Sequence, residues 1–273
     1  MSDIFERFRL NGQTAIVTGG GGLLGGEFCK TLAGAGASVA VMDVDSARAE
    51  IVASSIRQSG GAAKAIRADI TDPASLHGAL EAVHGEWGEV AILVNCAAKD
   101  PKFDPTHRGD DANDFEAFPL AVWDEALRVN LTGSFLAAQA VVPSMLRRGS
   151  GSIVNICSTY GLVGPDQRLY QEPGQPPRFK PVYYSVTKAG ILGLTRYLAA
   201  YYAGKSIRVN ALTPGGVFQD HDAGFVERYS ARTLLGRMAE RDEMNAALLF
   251  LASDASSYMT GSNLVVDGGW TAW

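Results

Sequence analysis

The stretch that decides the fold spans residues 15–26 and reads Ala-Ile-Val-Thr-Gly-Gly-Gly-Gly-Leu-Leu-Gly-Gly. Its first four residues are typical of a buried strand, and a helical pattern through Phe28, Leu32 and Ala33 follows the glycines. Glycines at such a junction let the backbone turn sharply and approach a pyrophosphate, to which the helix N-terminus offers free N–H groups. The stretch therefore predicts a nucleotide-binding turn, and a merely flexible loop is the alternative.

Strands and helices alternate along the rest of the chain. Continuous apolar strands separated by helices indicate a parallel sheet that is covered on both faces. We therefore expect one α/β domain over residues 1–273, of Rossmann type, with a doubly wound sheet of about seven strands and helices on both faces. Beyond the first strand, strands are predicted near 38–43, 65–66, 91–95, 152–156, 207–212 and 264–266, and helices near 47–58, 73–87 and 121–146.

The composition argues against several classes of protein. Of the 273 residues, 47% are hydrophobic, and the net charge is −5 with no basic block that would suggest nucleic acid or an anionic membrane. The charged N-terminus argues against a signal peptide, and no apolar stretch approaches the roughly 20 residues of a membrane span. Cys29, Cys96 and Cys157 are scattered, as in a reduced, cytoplasmic protein. The histidines lack metal-ligand spacing, so no metal site is predicted.

Two polar segments, residues 98–120 and 161–182, interrupt the alternation. Both follow strands and should emerge at the carboxyl edge of the sheet, where open α/β sheets bind ligands. Long loops without structure of their own are usually functional or disordered, so we expect contact with a substrate, and solvated insertions are the alternative. The two segments carry basic side chains that could pair with an anionic substrate: Lys99, Lys102, His107, Arg108, Arg168, Arg178 and Lys180. Neighbouring aspartates would cancel much of their positive field.

An acidic residue favours NAD over NADP as the cofactor. Asp43 ends the second strand, 18 residues after Gly25, and an acid there accepts hydrogen bonds from the adenine ribose and repels a 2′-phosphate. Val44 follows and is also a predicted cofactor contact, and no lysine or arginine adjoins. Further cofactor contacts are predicted for the turn residues Gly19, Gly22, Leu23 and Leu24. Two strand ends should also contact the cofactor, Asp69 and Ile70 at the adenine, and Asn95 and Ala97 at the ribose. For these two strand ends, polar residues that simply end a strand are an equal alternative.

Tyr184 and Lys188 stand four residues apart at the predicted start of a helix, so both side chains share one face. An ammonium beside a phenol favours the phenolate, so the pKa of Tyr184 is expected to fall towards working pH. A tyrosine tuned in this way can exchange a proton with a hydroxyl or carbonyl oxygen. Tyr183 lies off that face and is rejected as the base. The pair alone is a weak signal, but Asn130 and Ser158 lie in order between it and the glycine turn.

Together these residues resemble the short-chain dehydrogenase/reductase family over nearly the whole chain. The motifs keep the family's order: Thr18-Gly19 to Gly25, Asp43, Asn95-Cys96-Ala97-Ala98, Asn130, Ser158, Tyr184 and Lys188, Pro214-Gly215 and Asp267-Gly268-Gly269. The resemblance implies four catalytic residues. Tyr184 would exchange the proton and contact the cofactor, and Ser158 would hold the reacting oxygen. Lys188 would lower the pKa of Tyr184 and bind the nicotinamide ribose. Asn130 would position a water beside Lys188, and the stretch with Pro214, Gly215 and Val217 would pass the nicotinamide amide.

The sequence departs from the family's usual pattern in three places. Leu23 changes the glycine spacing to one that resembles the extended branch, which includes sugar-nucleotide epimerases. Cys96 and Ala98 alter the usual Asn-Asn-Ala-Gly. Ser158 and Tyr184 are 26 residues apart, about twice the usual gap, so the Pro-rich insertion must lie over the pocket. This insertion, Leu23-Leu24-Gly25 and Pro214-Gly215-Gly216 are similar to a bacterial subgroup found with surface-polysaccharide and nonulosonic-acid genes.

The resemblance implies an NAD-dependent oxidoreductase that interconverts a secondary alcohol and a ketone on a sugar-like or polyol substrate. A 3-oxoacyl thioester reductase, a sugar-nucleotide epimerase and a cofactor-binding regulator without turnover remain alternatives. It also implies a mobile substrate lid within residues 215–240, and a homodimer or homotetramer that pairs through the helices near 121–146 and 182–203. Trp270 and Trp273 are expected to be buried in a subunit interface.

Overall fold

The computed structural model describes residues 3–100, 114–172, 174–175 and 177–273. Its strands are β1 Thr14–Thr18, β2 Ser38–Asp43, β3 Ala62–Arg67, β4 Val90–Asn95, β5 Gly151–Ile156, β6 Ile207–Pro214 and β7 Asn263–Val266. They form one parallel sheet in the order β3-β2-β1-β4-β5-β6-β7. The predicted fold class is confirmed, and β3 extends beyond the residues predicted for it.

Helices cover both faces of this sheet. They are α1 Leu23–Gly34, α2 Ser46–Gln58, α3 Pro73–Trp87, α4 Leu120–Leu127, α5 Gly133–Arg148, α6 Val182–Tyr201, α7 Ala223–Ser230 and α8 Asn245–Ala252. Helices α1, α2 and α8 bury residues such as Phe28 and Leu248 on one face. Helices α3, α5 and α6 bury Val83, Met145 and Leu198 on the other. The sheet is therefore doubly wound, and its central strands β1 and β4 are buried throughout.

The direction of winding reverses between β1 and β4. Thr18, the last residue of β1, pairs with Met42 of β2 on one side and with Asn95 of β4 on the other. The connections that leave β1 and β4 therefore diverge to opposite faces and open a crevice at the carboxyl edge. The carboxyl ends of the strands bring Asp43 and Pro214 to this edge, together with the segment that follows β5.

The long helix predicted over 121–146 is a helical run from Leu120 to Arg148 that contains a π-helical turn at Arg128–Thr132. By length and composition this run could cross a membrane, which corrects the expectation that no apolar stretch approaches that length. Half of its most apolar window is buried in the protein, where Val141 and Met145 of α5 join the core. This is the pattern of a helix that packs against a sheet.

Candidate active site

The turn between β1 and α1 is too tight for side chains. Gly19 adopts a left-handed φ of 66°. A Cβ on Gly25 would lie 2.1 Å from the carbonyl oxygen of Gly19, so the first turn of α1 rests directly on the loop. Only a residue without a side chain permits this approach.

No side chain caps the N-terminus of α1, in contrast to three of the other helices. Aspartate carboxylates accept backbone N–H groups at the start of α2, α3 and α7, whereas α1 follows Gly22. Uncapped N–H groups and the positive end of the helix dipole suit an anion such as a pyrophosphate. The glycine turn and this helix end have the features that a dinucleotide site needs, and contact with Gly22, Leu23 and Leu24 stays a prediction.

Asp43 lies beside this turn and is fixed by it. Its Oδ2 accepts a hydrogen bond from the N–H of Gly21 at 2.9 Å, and its Oδ1 accepts one from Asp45 at 3.0 Å. Val44, the next residue, is 62% exposed. The carboxylate is therefore held at the edge of the crevice, and its contact with a ribose stays a prediction.

The side chains at two other predicted cofactor contacts turn into the protein. Asn95 is buried, and its Nδ2 donates to Asn155 Oδ1 at 2.9 Å and to the carbonyl of Ser134 at 3.3 Å. Ile70 is buried in the core beneath α5. The carboxylate of Asp69 accepts from the backbone and hydroxyl of Thr71, bonds that lower its pKa.

Ala97, by contrast, is placed by the end of β1. Its N–H donates to the hydroxyl of Thr18 at 3.3 Å, and the Cα of Gly19 lies so close that a Cβ there would be 2.7 Å from the Cα of Ala97. The backbone of Ala97 therefore forms one wall of the glycine turn. A contact between this residue and a nucleotide stays a prediction.

The three residues that the proton chemistry needs come together despite the long insertion. Tyr184 lies in the first turn of α6 and is hydrogen-bonded to Ser158, which follows β5 and also accepts from the N–H of Tyr160 at 3.2 Å. Lys188 is buried one turn further along α6, with its Nζ 5.8 Å from the ring centroid of Tyr184. The predicted shared helix face is confirmed.

The expected lowering of the pKa of Tyr184 is wrong for this structure. Burial of the phenol raises its pKa well above the ordinary value, and the carboxylate of Asp100 adds to the increase, whereas the bond to Ser158 lowers it. Burial also lowers the pKa of Lys188, whose Nζ donates to the carbonyl of Ile156 at 3.0 Å. The expectation counted the ammonium and left out the desolvation of the phenol.

Asn130 lies in the π-helical turn and is buried. Its Oδ1 accepts from the N–H of Lys99 at 2.6 Å, and its Nδ2 donates to the carbonyl of Lys99 at 3.1 Å and to Thr187 Oγ1 at 3.2 Å. The side chain thus ties the segment after β4 to α6, one residue before Lys188. Its proposed role beside a water stays a prediction.

The segment after β6 is packed closely against the end of β7. The N–H of Gly215 donates to the carbonyl of Val266 at 2.9 Å, and a Cβ on Gly215 would lie 2.8 Å from the Cα of Asp267. Val217 bridges to Ala239, which closes the chain between them into a loop that contains α7. This holds the predicted residues Pro214, Gly215 and Val217 at the carboxyl edge.

An aromatic cluster packs beside Tyr184. Tyr170 Oη donates to Tyr160 Oη at 2.9 Å, and Trp270 stacks on Tyr229 with ring centroids 4.4 Å apart. Burial raises the pKa of Tyr160 to about 12. Trp270 is buried within its own chain, which corrects its assignment to an interface, whereas Trp273 is 75% exposed.

One cation of the 161–182 insertion, Lys180, lies beside Tyr184. Lys180 Nζ lies 2.6 Å from Asp100 Oδ1 and 4.2 Å from the ring centroid of Tyr184. Arg168, by contrast, pairs with Asp166 and leaves its side chain 81% exposed. Lys102, His107 and Arg108 lie outside the described residues. Nothing in the sequence distinguished Lys180 from the other cations.

No metal site is evident among the residues that the structure describes. No group of three or more histidine, cysteine, aspartate or glutamate side chains lies close enough there to hold an ion. The three cysteines are free thiols, and Cys29 and Cys157 are buried.

Comparisons with known proteins agree with this geometry. The family described as enoyl-(acyl carrier protein) reductase matches residues 24–271. D-threitol dehydrogenase from Mycolicibacterium smegmatis is 36% identical over 269 residues, covering 97% of this chain and 95% of that protein. A crystal structure of a short-chain type dehydrogenase/reductase from Mycobacterium marinum is 32% identical with a TM-score of 0.86, covering 99% of this chain and 100% of that one.

A second solved structure is similar over the same extent. It is a gluconate 5-dehydrogenase from Burkholderia cenocepacia in complex with NADP and tartrate, with 32% identity and a TM-score of 0.85, covering 99% of this chain and 100% of that one. The similarity therefore extends over nearly the full length of both chains in each comparison. This protein belongs to the short-chain dehydrogenase/reductase family.

Proposed function

We propose that this protein is an NAD(P)-dependent dehydrogenase that interconverts a secondary alcohol and a ketone on a sugar-like or polyol substrate. The observation that carries the proposal is the meeting of Tyr184, Ser158 and Lys188 at the carboxyl edge, beside a glycine turn that fits a dinucleotide. The nicotinamide, when bound, accepts or supplies the hydride, and the protein supplies binding, orientation and the proton.

The residues of the site divide the proton chemistry between them. Tyr184 takes the proton of the alcohol in oxidation and returns one to the ketone oxygen in reduction. Ser158, which already bonds the phenol, holds the reacting oxygen so that the developing charge is stabilised. Lys188 favours the phenolate and would hold the nicotinamide ribose, and Asn130 fixes the neighbouring turn of α6 through Thr187.

Asp43 supports NAD as the preferred cofactor. Its fixed carboxylate can accept from ribose hydroxyls and would repel a 2′-phosphate. The similar gluconate 5-dehydrogenase binds NADP, so the preference needs a direct measurement. The ratio of kcat/KM for NAD to that for NADP should be well above one, and a ratio below one would reject this part of the proposal.

Relatives and site chemistry together support a polyhydroxylated substrate. Formation of NADH with D-threitol, longer alditols and aldonates should single out one of these classes, because the relatives named above act on such compounds. The predicted loops at 98–120, 161–182 and 215–240 would contact it. An anionic substrate is supported only by cations of the loops, of which Lys180 and Arg168 already pair with aspartates.

A 3-oxoacyl thioester reductase is the second candidate, and the description of the matching family also names a reductase of acyl thioesters, although of the enoyl kind. It would oxidise NADPH with an acyl thioester and remain inactive on alditols. An epimerase would show no net NADH formation, and a regulator would bind cofactor without turnover. The narrower resemblance to a subgroup linked to surface-polysaccharide and nonulosonic-acid genes is likewise a proposal, which activity on a nonulosonic acid or a nucleotide sugar would support.

A further inference from the structure

Lys180 is held beside Tyr184 by the 161–182 insertion. The side chain of Gln167 clamps its backbone from both directions: Gln167 Oε1 accepts from the N–H of Lys180 at 2.8 Å, and Nε2 donates to its carbonyl at 3.3 Å. Pro181 follows and leads directly into α6. The hydrogen bonds to Gln167 and the direct link through Pro181 to α6 therefore fix the main chain of Lys180 relative to Tyr184.

The ammonium of Lys180 is placed over the face of the Tyr184 ring. Its Nζ lies 4.2 Å from the ring centroid, closer than the Nζ of Lys188 at 5.8 Å, and the Lys180 side chain is only 9% exposed. A cation in this position is attracted by the ring, and the attraction grows when the ring carries negative charge. Screening by water is weak because the ammonium is covered.

Asp100 holds this ammonium from the other side. The carboxylate lies 2.6 Å from Lys180 Nζ and is itself 53% exposed. Other ionisable groups face Tyr184 or pack around it, from its own helix, the segment after β5 and the aromatic cluster: Lys188, Cys157, Tyr160, Tyr170 and Tyr229. His221, from the loop before α7, interacts with Asp100 and Lys180. Lys180 and Lys188 are the cations recorded over the ring within the described residues.

We propose that Lys180 is a positioning residue for the proton transfer, in which its ammonium holds the Tyr184 ring and stabilises the phenolate while Asp100 keeps the ammonium in place. The inference rests on the proposed function, since it concerns the same proton. It gives the long insertion a chemical task, which is to deliver a second cation to the tyrosine that Lys188 serves.

The test compares the pH dependence of alcohol oxidation in the native protein, Lys180→Met and Lys180→Arg. Oxidation needs the unprotonated phenol, so kcat/KM for D-threitol at saturating NAD rises with pH. Loss of the ammonium in Lys180→Met should move this rise to higher pH by about one unit. At pH values below the rise, kcat/KM of Lys180→Met should be about tenfold lower than that of the native protein. Lys180→Arg keeps the charge and should keep the native profile.

Asp100→Asn should shift the pH dependence of kcat/KM in the direction opposite to that of Lys180→Met. It removes a negative charge near the phenol but leaves an amide oxygen to accept from Lys180, so the rise should move to lower pH. A Lys180→Met profile that is scaled down equally at every pH would overturn the inference and leave a packing role. Should Lys180→Met fail to fold, Lys180→Gln and Asp100→Asn carry the same comparison.

The inference and the proposed function can fail separately. If the native protein oxidises no alcohol, the proposed function fails. The phenolate can still be followed by ultraviolet difference titration of the native protein and Lys180→Met, each against its Tyr184→Phe counterpart. Equal titrations would overturn the inference without reference to any substrate, and a later phenolate signal in Lys180→Met would support it.

Discussion

Tyr183 and Tyr184 are adjacent phenols with opposite surroundings. Successive side chains of a helix point about 100° apart, so two adjacent tyrosines cannot both face Ser158. Tyr184 bonds Ser158, whereas Tyr183 is buried against Phe118 with ring centroids 5.9 Å apart. Burial raises the pKa of Tyr183 to about 12. The two tyrosines therefore form a matched pair for testing the catalytic assignment.

Tyr184→Phe should lower kcat by about 10²- to 10⁴-fold, the usual contribution of a general acid or base. Its affinity for NAD, measured by calorimetry, should stay close to native, because the glycine turn and Asp43 are untouched. Tyr183→Phe removes a hydroxyl on the other side of the helix and should retain nearly native kcat. Turnover by Tyr184→Phe at the native rate would remove this residue from the mechanism.

The spacing of Tyr184 and Lys188 predicted the shared face but gave the wrong direction for the pKa. Spacing reports which side chains are neighbours on a helix, and it contains no information on how many other atoms surround them. The atoms that enclose the phenol come from distant segments, including Asp100 and the aromatic cluster. A pKa depends on that enclosure as strongly as on the nearest charge.

At the scale of elements, the junction of β1 and α1 was the most predictable part of the molecule. Its glycines, the apolar strand before them and the helical pattern after them all favour one local structure. The π-helical turn at Arg128–Thr132 was not predictable, because the apolar pattern there continues that of an ordinary helix. The π-helical turn is accompanied by tertiary hydrogen bonds, in which the side chain of Asn130 binds the backbone of Lys99 and the hydroxyl of Thr187.

Gly25→Ala should weaken NAD binding at least tenfold, which corresponds to about 1.4 kcal/mol. The added methyl group would lie 2.1 Å from the carbonyl of Gly19, so the glycine turn must shift. Gly78→Ala in α3 is the matched control, since its Cβ meets no atom within 4 Å. That control should bind NAD normally and gain up to about 1 kcal/mol of stability from the better helix former. Calorimetry and thermal unfolding measure the two effects, and equal NAD affinity in both variants would contradict the assignment of the turn.

At the scale of the whole molecule, the aromatic cluster joins three segments that are remote in sequence. Tyr160 and Tyr170 come from the chain after β5, Tyr229 from α7, and Trp270 from beyond β7. The ion pair between Arg232 and Asp166, at 2.7 Å, connects two of these segments again. Sequence periodicity identifies which face of a helix is buried, but it does not identify which loops meet above a sheet. The meeting of these three segments therefore had to come from the structure.

A homodimer or homotetramer remains a prediction for the assembled protein. Exposed aromatic side chains on α6 support it: Tyr197 and Tyr201 are 63% and 65% exposed and stack with ring centroids 5.9 Å apart. Tyr197→Glu should shift the mass measured by light scattering towards the monomer, because a charge opposes burial in an interface. Ile51→Glu on α2, where the native side chain is 70% exposed, is the control and should leave the mass unchanged. A native protein that is monomeric at all concentrations would exclude the assembly.

The hydrogen bond between Asp43 and the N–H of Gly21 has a consequence for protein engineering. Exchange of the acid for a neutral residue would remove its repulsion of a 2′-phosphate. Here that exchange would also release the glycine turn, so Asp43→Ala should lower the affinity for both NAD and NADP. A redesign should retain an acceptor for Gly21, as serine or asparagine can, before any positive charge is introduced.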